Sequence, residues 1–201
     1  MAETLLHLVK KASERHIDSV IRDRRHLHMH PELSFEEEAT GKYIQSRLQS
    51  LGIRYSTGWA EHGVVAEIQG GKPGKQMIAL RADMDALPIQ EENQVPYCSV
   101  NPGVMHACGH DVHTASLLGA AALLQDIRDH FAGTIRLIFQ PAEEKLPGGA
   151  SLLIKQGVLA NPVPEGILGQ HVHPPLEAGT VGFREGMFMA SCDEIYITLK
   201  G

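Results

Sequence analysis

Within the nine residues 105–113 the chain places three histidines, a cysteine and an aspartate: His106, Cys108, His110, Asp111 and His113. Thiolate, imidazole and carboxylate are the side-chain classes that bind divalent transition metals. This run constrains the fold more than any other. Donors two apart, such as Cys108 and His110, can face one side of an extended or turning segment but diverge on a helix. The run should therefore be a loop ending where residues 114–127, rich in Ala and Leu, begin a helix. Asp111 or Thr114 can cap that helix.

Two further donor groups lie downstream. Glu143 and Glu144 directly follow an apolar strand-like run over 134–139, and His171 and His173 follow another over 166–169. Upstream, residues 77–80 form a short apolar run that delivers Asp83 and Asp85. Each candidate group thus sits just past the C-terminal end of a predicted strand, the edge at which open α/β sheets bind ligands. Helices are predicted over 13–29, with Ile17, Val20, Ile21 and Leu27 on one face, and from a Ser34 cap with Glu37 as its capping-box partner to Leu51. A further helix is predicted over 150–156. Strands are predicted over 63–68, 179–183 and 194–199, and turn chemistry over 70–75. Strands alternating with helices predict α/β architecture.

Bulk properties remove several function classes. The 201 residues carry 18 basic against 24 acidic side chains, a formal charge of −6, with no basic stripe for nucleic acid and no polybasic helix for a membrane surface. No run approaches the roughly 18 apolar residues of a membrane span. Three cysteines, Cys98, Cys108 and Cys192, make no disulfide framework, and the first residues do not read as a signal peptide. A reducing, cytoplasmic compartment is the expectation. GxSxG, GxGxxG and HExxH are all missing, and the glycine-rich segment 70–75 lacks Walker A spacing.

The candidates carry ordinary readings too. Cys108 alone could be a buried free thiol, or a nucleophile with a histidine base. Asp111 could cap a helix or orient a ligating imidazole from behind. His113 could do the same or simply begin the helix. Asp83 could pair with Arg81, and Asp85 could support a ligand. Adjacent carboxylates such as Glu143 and Glu144 repel unless a cation neutralises them; one could ligate while the other stays free as a base. His171 is preferred to His173, which leads into two prolines. His26, His28 and His30, near a helix end, read as packing and capping.

Five segments together resemble one family. They are residues 25–35 (Arg-His-Leu-His-Met-His-Pro-Glu-Leu-Ser-Phe), residues 80–88 (Leu-Arg-Ala-Asp-Met-Asp-Ala-Leu-Pro), the cluster at 106–113, Gln140-Pro141-Ala142-Glu143-Glu144, and Gly169-Gln170-His171-Val172. Their order and content resemble the M20 metallopeptidases, in particular the amidohydrolase subfamily of hippurate hydrolases, N-acyl-amino-acid amidohydrolases and auxin-conjugate hydrolases. The resemblance implies a zinc-exopeptidase-like catalytic domain, a three-layer mixed sheet flanked by helices. It implies two divalent ions (Mn, Zn, Ni or Co) on Cys108, His110, Glu144 and His171, with Glu143 as general base. Asp83, Asp85, Asp111 and His113 would support the ligands. The implied substrate is a small N-acyl amino acid.

The pattern departs from the family at Lys145-Leu146-Pro147, where a glycine-rich run is usual, and at Gln170, where leucine is usual. Family members are about twice as long by the same resemblance. Residues 1–190 would then be the N-terminal part of the catalytic domain, and 191–201 the start of an inserted lid or dimerisation domain. A last histidine ligand would lie beyond it, so the chain alone is expected to be weakly active or inactive. Any homo-oligomer would form through the lid.

Overall fold

A computed structural model describes residues 4–188, 195 and 197–201. The elements are α1 (Leu5–Met29), α2 (Glu38–Ser50), β1 (Arg54–Trp59), β2 (Gly63–Gln69), β3 (Lys72–Asp83), α3 (His110–Asp126), a 3-10 turn (Arg128–His130), β4 (Ala132–Gln140), α4 (Gly149–Lys155) and β5 (Gly166–Gly169). The five strands form one mixed sheet in the order β1-β2-β4-β3-β5. β1 and β2 are antiparallel, as are β2 and β4, whereas β4, β3 and β5 run parallel. The α/β expectation is met.

Period-2 alternation sorts the sheet into two faces. Val64, Ala66, Ile68, Leu137 and Phe139 point to one face and pack with Ile44 and Leu48 of α2 and Leu117, Leu118 and Ala121 of α3. Val65, Ala79 and Ile138 point to the other and meet Leu153 of α4 and Val158. Two apolar clusters on opposite faces make three layers. α1 lies outermost, against α3. The approach is close because α3 carries Gly119 there: a Cβ at that position would sit 2.4 Å from Val20 Cγ2.

Several sequence expectations are corrected. α1 begins eight residues before the predicted start, and its predicted apolar face is buried only in part, through Leu27 and through Val20 against Gly119. Ile17 and Ile21 are 53% and 41% exposed, while Ala12, Asp23, Leu27 and His28 are buried. Polar partners explain the rotation: Asp23 accepts from Tyr43 Oη and pairs with Arg47, both on α2. Ser34 does not cap α2, and Glu37, the residue before its first turn, makes no side-chain cap bond. Glu32 takes the role, accepting the backbone N–H groups of Ala39 and Thr40. That frees Ser34 and Glu37 for the interior, where Glu37 accepts the Ala142 N–H.

β1 was not anticipated. Its residues are mostly exposed, so it shows no apolar alternation, and it exists by pairing with β2. The predicted turn at 70–75 instead opens β3, which is irregular between Lys72 and Met77. Residues 179–183 form no strand. The strand expected over 194–199 falls in part on residues 194 and 196, outside the described set, as does the domain boundary at 190. Among the described residues no helix is long and apolar enough to cross a membrane.

Candidate metal centre

The topology brings the three donor segments to one edge. β3, β4 and β5 are parallel, so Asp83, Gln140 and Gly169 end side by side. The chain leaves those ends through Asp85, through Glu143 and Glu144, and through His171. The N-terminus of α3 completes the ring. Gly109 there has φ of 82°, in the left-handed region, and a Cβ on it would lie 2.4 Å from Val172 Cγ2. Only glycine fits both conditions.

α3 starts at His110, earlier than expected, so His110 and His113 are one turn apart on one face while Cys108 stays outside the helix. Neither Asp111 nor Thr114 caps it. The Thr114 hydroxyl donates to the Asp83 carbonyl, 2.7 Å away, tying the helix to the end of β3.

His110 is buried and oriented from behind. Its Nδ1 lies 3.1 Å from Asp85 Oδ1. The other Asp85 oxygen accepts the Ser34 hydroxyl at 2.7 Å and the Glu144 N–H at 3.0 Å. Burial opposes ionisation of Asp85, but the His110, Glu144 and Ser34 bonds outweigh it and hold its pKa below the ordinary carboxylate value. Asp83 is similar: burial is overcome by His113 and Arg81, and its pKa falls to about 2. With Asp85 taking Nδ1, the ring's remaining atom is Nε2. It is buried without a hydrogen-bond partner among the described residues, 3.7 Å from Glu144 Oε1, which is likewise buried and unpartnered. Buried polar atoms rarely stay unpaired. An imidazole nitrogen and a carboxylate oxygen facing each other are the donor types that fit a divalent cation.

His113 differs. Its Nδ1 lies 2.6 Å from Asp83 Oδ1, and its Nε2 accepts the Val172 N–H at 2.9 Å. Both nitrogens are occupied, so although Asp83, His110 and His113 lie close enough to form a donor group, His113 serves as a strut. It holds the segment carrying His171. The His171 Nδ1–H donates to the Val172 carbonyl at 2.7 Å, which leaves Nε2 as an acceptor, 3.5 Å from Cys108 Sγ.

The available donors form two sets that share His110: Cys108 with His110 and His171, and His110 with Glu143 and Glu144. Four carboxylates converge here, and the electrostatics register it. Burial, then Glu144, raises the pKa of Glu143. Burial, then Glu144, pushes the Cys108 thiol up to about 12. Such a thiol is a poor nucleophile by itself, which weighs against the cysteine-hydrolase alternative. A bound cation would reverse the sign and favour thiolate.

His106, counted with the cluster in sequence, is not among the grouped donors. It is buried, both ring nitrogens are unpartnered among the described residues, and burial pushes its pKa down to about 4. His173 is exposed and also ungrouped. Asp111 is buried but faces away from the donors, toward His28 and Arg24 of α1. Sequence reasoning anticipated the Asp83–Arg81 pair, which is present at 2.7 Å, but missed His28, Glu91 and Ser34 as supports. The one available signal was Arg24 with His28, four apart on a helix beside the buried Leu27.

Comparison with known proteins places the chain. The profile of peptidase family M20/M25/M40 matches residues 79–197. An N-acyl-L-amino acid amidohydrolase of Geobacillus stearothermophilus is 46% identical over 198 residues, covering 96% of this chain and 53% of that protein. An N-acetylcysteine deacetylase of Bacillus subtilis is 49% identical, covering 90% and 47%. The crystal structure of the Bacillus subtilis YXEP protein, described as a dinuclear metal-binding peptidase of the M20 family, superposes with a TM-score of 0.79 at 46% identity, covering 88% of this chain and 48% of that one. The chain spans about half the length of these relatives.

Proposed function

The chain belongs to peptidase family M20/M25/M40, and on that premise we propose that its site performs metal-dependent hydrolysis of the amide in N-acyl amino acids. The relatives are hydrolases named for that class of bond. The carrying observation is the pair of buried, unpartnered ligand atoms, His110 Nε2 and Glu144 Oε1, within reach of Cys108 and His171.

Cys108, His110, Glu144 and His171 would hold two divalent ions, of which manganese, zinc, nickel and cobalt all suit mixed S, N and O donors. Such ions supply polarisation of the scissile carbonyl and acidification of water. Asp85 fixes the His110 ring, and Asp83 through His113 fixes the loop bearing His171. Glu143 is the general base. Its raised pKa suits a group that takes a proton and returns it near neutrality. Water adds its oxygen to the amide carbon while Glu143 takes its proton. The C–N bond then breaks, Glu143 gives the proton to the departing amine, and a carboxylate and a free amino acid result.

The same reading assigns residues 1–190 to the catalytic domain and 191–201 to the start of a second one. A reducing, cytoplasmic setting is part of the same proposal. A metal-binding chain without turnover is the competing reading, favoured by the exposure of β5 and His171. Elemental analysis with calorimetric manganese titration, beside hippurate hydrolysis, separates the two. Two equivalents bound with measurable turnover supports the proposal. Two equivalents without turnover supports the competing reading, and no binding refutes both.

A further inference from the structure

Residues 86–105 form a loop whose two ends enter the metal centre, from Asp85 at one side and toward Cys108 at the other. Its neck is closed by Leu87 and Met105, which exchange N–H···O bonds of 3.0 Å in both directions. Its body is pinned to the end of α1: the Val100 N–H donates to the Met29 carbonyl at 2.9 Å and the Asn101 amide to the Pro31 carbonyl at 2.7 Å. Inside this contact lies Glu91, with a side chain only 3% exposed. Its Oε2 accepts the Ser99 N–H at 2.6 Å, and its Oε1 lies 3.0 Å from His28 Nε2. The other nitrogen of the same ring, Nδ1, lies 2.7 Å from Asp111 Oδ2. Asp111 directly follows the candidate ligand His110.

Carboxylates only accept, so a ring that bonds one through each nitrogen must carry a proton on both. His28 is therefore an imidazolium between two buried carboxylates. One neighbour opposes that state: Arg24 Nη2, which can only donate, lies 3.3 Å from the same Nδ1, but the Asp111 contact at 2.7 Å is the shorter and takes the Nδ1 proton. Arg24 pairs with the same Asp111 oxygen at 2.9 Å and opposes the charge on His28, and the Tyr97 ring meets His28 edge-on. A neutral His28 could donate to one carboxylate only, leaving Asp111 to Arg24 alone or Glu91 to Ser99 and Asn93 alone, and the bridge between the two would be lost.

We propose that His28 is a positioning residue for the metal centre: bridging Asp111 and Glu91, it locks the first turn of α3 and the 86–105 loop to the end of α1, and so fixes where Cys108 and His110 sit. This rests on the metal-centre reading above. Neither carboxylate nor His28 need touch metal or substrate.

The test is a double-mutant cycle on the full 201-residue chain, read by calorimetric titration with manganese and by hydrogen exchange at the Ser99 and Val100 amides. H28Q should raise the manganese Kd at least tenfold and lower protection at both amides. E91Q alone should cost a few-fold. H28Q/E91Q should recover affinity to within about threefold of wild type, because the lost cation and the lost carboxylate cancel. Wild-type chain that binds no manganese refutes the metal-centre reading itself. Wild-type binding with H28Q within twofold of it, or additive single effects without recovery, overturns the positioning role. If H28Q does not fold, E91Q decides: loosened Ser99 and Val100 amides with unchanged manganese affinity overturn the proposal, and parallel loss of both supports it.

Discussion

The two walls of the candidate centre are built differently. The inner wall, comprising Asp83, Asp85, His110, Asp111 and His113, is buried, and each of its side chains hydrogen-bonds to another element of the fold. The outer wall, Cys108, Glu143, Glu144 and His171, ranges from partly buried to exposed. Among the described residues, His171 is steered mainly by its own neighbour Val172. On the proposed reading, inner-wall residues are coupled to folding and outer-wall residues to ligand binding, with His110 serving both. A substitution on the first should cost stability and affinity together, whereas one on the second should cost affinity alone.

The sharpest way to break that contrast is Asp85→Ala. It removes the acceptor for the Ser34 hydroxyl, the Glu144 N–H and His110 Nδ1 at once. Breaking one buried charged pair costs about 3–5 kcal/mol, and the freed His110 ring should lose about 10–100-fold in metal affinity. Urea denaturation of the apo chain and manganese calorimetry measure the two losses. A change below about 1 kcal/mol in stability would place Asp85 with the outer wall.

The inner wall should also show in pH dependence, through His28. Its pKa is raised, chiefly by the Asp111 bond, with burial opposing and Glu91 adding. A raised folded pKa means that the native state holds the proton more tightly than the unfolded chain. The contribution is fully present below the ordinary value of 6.5 and disappears as pH rises through the folded pKa. Hydrogen bonds to charged groups suggest a size of roughly 1.5–3 kcal/mol. H28Q should flatten the decline in urea stability as pH rises above 6.5, and an unchanged slope would show that the imidazolium bridge does not form.

The same division explains what could be read in advance. Ligand chemistry is concentrated in sequence, so Cys108, His110, Glu143, Glu144 and His171 stood out, and the strand-end placement of Glu143, Glu144 and His171 followed from the alternation of elements, whereas Cys108 and His110 enter from the N-terminus of α3. The supports did not stand out, because they act across distance: Asp111 meets His28 across 83 residues, Glu91 meets it across 63, and Ser34 meets Asp85 across 51. Ser34 looked like a helix cap because local hydrogen bonding is all that a short window displays. The face of α1 was misjudged for a related reason. Its docking is partly polar, through Asp23 and His28, and apolar periodicity is blind to that.

At the junction of the two walls stands Gly109. Gly109→Ala combines a left-handed backbone, about 1–2 kcal/mol for an L-residue, with a contact to the Val172 side chain that must move aside. The shift would loosen the Val172 N–H bond to His113 and, with it, His171. Thermal unfolding should show the loss, and manganese affinity should fall with it. A loss of stability with unchanged affinity would mean that the His171 segment is positioned independently of the inner wall.

The smallest expected stability effect is the most discriminating. His171 is exposed, and beyond its own segment its ring meets only Cys108 and, edge-on, the rings of His113 and His110 among the described residues, so His171→Ala should change apo stability by less than about 1 kcal/mol. Its Nε2 nevertheless carries a lone pair, 3.5 Å from Cys108 Sγ. Manganese or zinc affinity should therefore fall at least tenfold while the urea midpoint of the metal-free chain stays in place. Metal should also stabilise the wild type against urea and the variant much less, since a ligand that binds only the native state stabilises in proportion to the logarithm of its concentration over Kd. If the variant were instead unstable without metal, the outer wall would be part of the folding unit and the division between the walls would fail. Were affinity unchanged, the ion would be held by His110, Glu143 and Glu144 alone, and the set built on Cys108 would have no part in binding it.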